Sequence, residues 1–231
     1  MRKTPSGTFE ILIASAVTQI PPEGGDIGKE TEFDVEDGLL KGDKIKLVYG
    51  DHAKEMGLIS EYHRKAAENA ANENQKKMQD SYVKSFESGS LEAFKDSQRF
   101  WIKDKGPMVE SNLGFVETYR DPQGVRGEWE GFAATINLER TRAFGALVAA
   151  AESSIPKLPW SKDFEKDKFL SPDFSSLEVL TFAGSGIPAG INIVSPQLCF
   201  VVVFLSRSQC PSLNAIGQEM IRITDFEIAK L

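Results

Sequence analysis

Cysteine is scarce in this chain: Cys199 and Cys210 are the only two among 231 residues. Two cysteines cannot build the disulfide framework of a small secreted protein, so the expectation is a reducing compartment. Histidine is equally scarce, limited to His52 and His63. They stand eleven residues apart and outside any H-E-x-x-H pattern, so a zinc site of that kind is excluded. Long apolar runs are missing too. The longest, "LCFVVVFL" (Leu198–Leu205), falls far short of the roughly 20 residues a membrane helix needs. Positive charge is in deficit, with a net charge of -7 and no useful run of Lys or Arg. That excludes the basic footprint a nucleic-acid partner requires. The N-terminus "MRKTPSGTFEILIASA" lacks the apolar core and cleavage site of a signal peptide. The sequence predicts a soluble, cytoplasmic chain with neither nucleic acid nor membrane as partner.

What is present divides by texture. "TFEILIAS" places Phe9, Ile11 and Ile13 on one face and predicts a strand. "PPEGGDIG" is a loop by composition, and "TEFDVED" and "KIKLVYGD" predict two more strands. From His52 to Gly89 the chain is rich in Ala, Glu, Lys and Gln, with Met56, Ile59, His63, Ala66 and Ala70 at helical spacing. One long helix is expected there. A second follows over "SLEAFKDSQRFWIKD", with Ser90 as its N-cap. "MVESNLGFVETY" lies between Gly-Pro and Asp-Pro breaks and reads as a strand pair or a short irregular segment. "EWEGFAATINLERTRAFGALVAAAESSI" again has helical spacing, through Phe132, Ile136, Arg140, Phe144, Leu147 and Ala151. A strand through Val179–Phe182 then runs into a glycine cluster. The fold class is α+β.

That cluster, "GSGIPAGIN", invites a nucleotide reading and fails it. Gly184, Gly186 and Gly190 are spaced two and four apart, and no helix start follows. "GGDIGKET" fails as a phosphate loop because Glu30 stands where Ser or Thr should follow Lys29. Two readings of the cluster remain. Small residues leave main-chain groups uncovered, so an extended peptide could join them as an added strand, with Asn192 as a polar contact. A tight structural crossover needs no ligand. Glu110 is also singled out, since "PMVESNLGF" is an apolar and small setting for a carboxylate. It would suit a cation such as a substrate ammonium, or it is an ordinary solvated or salt-bridged glutamate. No Ser/His/Asp or Cys/His set can be assembled, so no catalytic residue is assigned.

Taken together, "RFWIKDKGPMVESNLGFVETYRDPQGVRGEWEGF", "LPWSKDFEKDKF" and "LEVLTFAGSGIPAGINI" resemble the dipeptidyl peptidase III family, the M49 zinc metallopeptidases. The likeness runs from about Gly7 to Ile193 and is densest from Arg99 onward. It implies a cytosolic, two-lobed enzyme that removes dipeptides from the N-termini of short peptides. On that pattern residues 1–130 form a partial β-barrel-type lobe with long helices, and 131–168 enter a helical lobe. Residues 169–193 return as a cleft-lining strand, and 194–231 are an unrelated tail. The resemblance implies that Glu110 holds the substrate's N-terminal ammonium. It also implies that Pro188, Ala189 and Gly190 pair with peptide backbone and that Asn192 helps anchor the N-terminus. Asn112 stands where animal relatives carry a tyrosine that assists the reacting carbonyl.

The family's cofactor is zinc, held by H-E-x-x-G-H and a further Glu, and neither occurs in this chain. Zinc activates the attacking water and polarises the scissile carbonyl, so a chain without those ligands is not expected to be a working peptidase by itself; a non-catalytic peptide-binding or regulatory form and a truncated, non-functional product are the alternatives. After Ile193 the resemblance stops and charged residues thin out. Val194-Ser195 can be encoded by GTGAGT, a splice-donor sequence, and intron read-through giving a truncated chain is the expected cause.

Overall fold

The computed structural model describes residues 2–117, 122, 127–161, 163, 173–184, 190–195, 198–206 and 219–224. These divide into two compact units, residues 1–103 and 104–231.

The first unit opens with strands β1 (Arg2–Lys3), β2 (Phe9–Ala14), β3 (Glu32–Asp34) and β4 (Lys44–Asp51). They form one sheet in the order β1-β2-β4-β3. The expected strands are present, and β2 and β4 pair in parallel from Phe9↔Ile45 to Ala14↔Asp51, with β3 antiparallel on the far side of β4. Parallel neighbours need a long crossover, and the loop, β3 and its hairpin supply it.

Three helices follow: α1 (Ala53–Glu68), α2 (Glu73–Ser88) and α3 (Leu91–Trp101). The single helix expected over His52–Gly89 is in fact two. Asn72 explains the break, because its side chain accepts the Gln75 N–H at 3.0 Å and so starts α2 afresh. The short turn folds α2 back on α1, which burying Met56, His63, Met78, Tyr82 and Phe86 together requires. The N-cap expected for α3 is present: Ser90 Oγ accepts the Ala93 N–H at 3.1 Å. Gly89 between α2 and α3 has φ 75°, and a Cβ there would come within 2.5 Å of Ile13. Only glycine meets both conditions. The end of α2 is closed by the sheet, as Ala16 and Val17 N–H donate to Phe86 and Glu87 carbonyls at 2.9 and 3.0 Å.

The second unit holds β5 (Val109–Glu117), β6 (Glu128–Ile136), α4 (Leu138–Ser154), a 3-10 turn at Ile155–Lys157, and β7 (Asp173–Ala183). Strands β8 (Gly190–Ser195), β9 (Leu198–Ser206) and β10 (Glu219–Thr224) complete it. Six strands run in the order β5-β6-β7-β10-β9-β8, every neighbouring pair antiparallel. No closed barrel forms among the described residues. "MVESNLGFVETY" contributes one strand rather than a pair. The helix expected from Glu128 begins ten residues later, at Leu138, and Glu128–Ile136 is strand instead. Phe132 and Ile136 fit a helical stripe, but Phe132 and Ala134 also alternate. Cross-strand partners on both sides favour the strand, burying Phe132 and Ala134. Asn137 then starts α4 by accepting the Arg140 N–H at 3.0 Å. It also fixes the helix to β7: its main-chain N–H donates to Ser176 O at 2.8 Å, and its amide donates to Glu178 Oε1 at 2.8 Å.

Candidate functional site

Glu110 is the most deeply placed carboxylate that the sequence singled out, with 1% of its surface exposed. It lies on β5, paired with Ala134 of β6, which in turn pairs with Val179 of β7. Cross-strand partners share a face, so Glu110 stands on the face that carries Ala134 and Phe132. A buried carboxylate must be satisfied by donors. The Ser111 main-chain N–H donates to Glu110 Oε1 at 3.1 Å. The solvated form of the ordinary reading is thereby removed, and the group is a desolvated acceptor.

Asn112 follows two residues along β5 and therefore on the same face, half-buried, with Phe132 and Phe182 as its successive partners across the sheet. The spacing puts the two polar side chains about 7 Å apart along the strand. Glu130 shares this face further along, opposite Gly114. Glu110 and Asn112 are thus brought together. Gly190 and Asn192 lie on β8, opposite Phe204 and Val202 of β9. The strand β5 ends the six-stranded order on one side and β8 on the other, so the sheet places the two pairs on opposite edges. Pro188 and Ala189 lie outside the described residues. Both edge strands have one main-chain side without a strand partner among the described residues, which is the geometry an added extended chain uses.

The two histidines do not fit a zinc centre. His63 is buried in unit 1, stacked on Tyr82 at 4.8 Å and near Phe86 at 5.6 Å between centroids. Its Nδ1–H donates to Gln79 Oε1 at 2.5 Å, and burial lowers its pKa despite that bond. His52 precedes α1, exposed beside Asp51. Eleven residues of helix separate them by about 16 Å, too far to share an ion. Among the described residues no His, Cys, Asp and Glu cluster is suited to a metal. No described helix is long and apolar enough to cross a membrane.

Sequence reasoning missed one polar junction. The Asp26 carboxylate accepts Ser90 Oγ at 2.6 Å and the Leu91 N–H at 2.5 Å, fastening the "PPEGGDIG" loop to the start of α3. Asp26 and Ser90 are too distant in sequence for spacing to reveal this.

The architecture is of a recognisable kind. It is similar to the solved structure of DPP III from Caldithrix abyssi, with a TM-score of 0.55 at 18% identity. That likeness covers 71% of this chain and 32% of that one, and shows the fold alone. Residues 1–197 match the model of peptidase family M49, and the chain belongs to that family. It is 49% identical over 191 residues to the dipeptidyl peptidase 3 of Dictyostelium discoideum, across 83% of this chain and 26% of that one. The human dipeptidyl peptidase 3 is 48% identical over 185 residues, across 80% and 25%. The chain therefore spans about a quarter of the length of these curated relatives.

Proposed function

We propose that this chain carries part of the substrate cleft of a dipeptidyl peptidase and binds short peptides by their free N-termini without cutting them. The observation that carries this reading is Glu110, a carboxylate with 1% exposure set beside Asn112 on an edge strand. A buried carboxylate next to an amide suits an ammonium group, which brings three donors and an opposite charge. Holding the N-terminus at a fixed point is also how an exopeptidase counts residues to the bond it cleaves.

On this reading β5 belongs to the family's barrel-type lobe, and β8 is the strand that pairs with substrate main chain. Pro188, Ala189 and Gly190 supply that edge, with Asn192 as its polar contact. In the family zinc supplies the activated water and polarised carbonyl. The residues of this chain do not fit it, so affinity is expected without turnover. A non-catalytic, peptide-binding or regulatory form is the version that the open β8 edge favours. A truncated product without function is the alternative that a binding measurement removes.

Calorimetry on the purified chain tests this with a pentapeptide bearing a free amino terminus and with its N-acetylated form. The free form is expected to bind about tenfold or more tightly, as for a charge-assisted hydrogen bond. Glu110→Gln should erase that difference. Equal affinities for the two peptides on the unmodified chain would refute the Glu110 role. Zinc-dependent release of dipeptides by this chain alone would refute the claim that it does not cut.

A further inference from the structure

The pairing of β3 with β4 stops early. It runs Asp34↔Lys44, Phe33↔Ile45 and Glu32↔Lys46, and the Leu47 N–H then donates to Thr31 O at 2.7 Å. In an antiparallel ladder the hydrogen-bonded positions alternate, so Ile45, Leu47 and Tyr49 turn their main-chain groups toward the β3 side. Continued by one step, the ladder would set Tyr49 against residue 29. The chain instead turns away there. Gly25 and Gly28 bond each other at 2.8 and 3.1 Å, and Gly24 and Gly28 adopt φ of 103° and 108°. The strand β2 cannot substitute, because it lies on the other side of β4. On that side the Gly50 N–H donates to Ser15 Oγ at 2.9 Å. The main-chain N–H and C=O of Tyr49 therefore face a strand position that no strand fills among the described residues.

Beside these residues lies an opening of about 350 Å³, lined by Lys46–Tyr49 of β4 and by Thr18, Gln19, Ile20 and Thr31. Its walls are braced. Thr18 packs against Gly50 so closely that a Cβ there would lie 3.0 Å from Thr18 Cγ2. The Tyr49 hydroxyl lies against Gly25, next to the Asp26 that is fastened to α3. Lys46 is engaged with Glu32 at 2.9 Å, so the opening does not call for an anion. Ile20 and Val48 offer apolar surface, while Thr18, Gln19 and Thr31 offer hydroxyl and amide groups.

We propose that this opening binds a short extended peptide with uncharged side chains, whose main chain completes the ladder at Tyr49. It is a second peptide site, independent of Glu110 and of β8. Its volume is near the lower end of ligand-sized cavities, which suits about two or three residues rather than a long segment.

The probe is the tripeptide Ala-Val-Ala, acetylated at one end and amidated at the other, so that it offers nothing to an ammonium site. Hydrogen exchange of the unmodified chain, followed amide by amide, should show the Tyr49 N–H slowed about tenfold or more at saturating peptide. The same peptide methylated on the Val nitrogen should bind about tenfold more weakly, having lost its donor to Tyr49 O. Thr18→Trp, which fills the opening, should lose binding while keeping the helical circular dichroism of the parent. Unchanged Tyr49 exchange, equal affinity for the methylated peptide, or no binding at millimolar peptide would each overturn the proposal.

Discussion

His63 shows how much one side chain couples stability to pH. It is buried between Tyr82 and Phe86, and burial holds its pKa below the ordinary value. Well above pH 6.5 the imidazole is uncharged in both folded and unfolded chains and contributes no slope. As pH falls below about 6.5 the unfolded chain takes up a proton that the folded chain resists, so stability declines until the lowered folded pKa is passed. The unfolding free energy from urea titrations between pH 7.5 and 5 should fall by as much as one proton allows, about 1.4 kcal/mol per pH unit at most. His63→Gln should flatten that slope, and an unchanged slope would contradict it. Asp26 gives a second residue-scale prediction. Asp26→Ala removes the acceptor for Ser90 Oγ and Leu91 N–H, and should cost about 1–2 kcal/mol in denaturant titration, in the range of a lost helix cap. The small and apolar neighbours of Glu110 singled it out in the sequence, and it is buried in the fold. The Asp26 junction was not, since its partners lie far along the chain and only the folded loop brings them together.

Helix starts were legible where a capping side chain stood just before a run with a single period. Ser90 met that condition and α3 was read correctly. Asn72 and Asn137 carry the same signal, but each sits inside a stretch whose spacing also permits an uninterrupted helix. The missing information lies in the partners: α1 must accept α2 across its face, and β5 and β7 must claim β6 from both sides. Asn137 therefore does more than begin a helix. It joins α4 to β7 through Ser176 and Glu178, and α4 has no buried residue of its own. Asn137→Ala should lower stability by about 1–2 kcal/mol. It should also raise amide exchange in the first turn of α4 well before that of β6. Loss confined to global unfolding, with α4 exchanging no earlier than β6, would contradict this.

At the scale of the whole molecule, both units present open sheet edges among the described residues. On the edge strand β5, Val109 and Phe115 are 59% and 40% exposed. Apolar groups on a strand edge favour pairing between chains. Light scattering should rise with concentration, and Val109→Lys, a charge placed on that edge, should suppress the rise. Scattering that is unaffected by Val109→Lys would locate the association elsewhere. The sequence indicated an α+β chain of the M49 family, and both hold. It gave no sign that β5 would become an edge, and it offered β8 as one only through its small residues, because edges are set by register and order rather than by composition.

The parallel match of β2 with β4 has a consequence in time. Phe9 can meet Ile45 only after the whole intervening chain has been looped closed, whereas α1, α2 and α3 meet near neighbours across short turns. Refolding from denaturant should therefore recover helical signal first. Protection of the β4 amides, measured by pulsed exchange, should follow as a separate and slower phase.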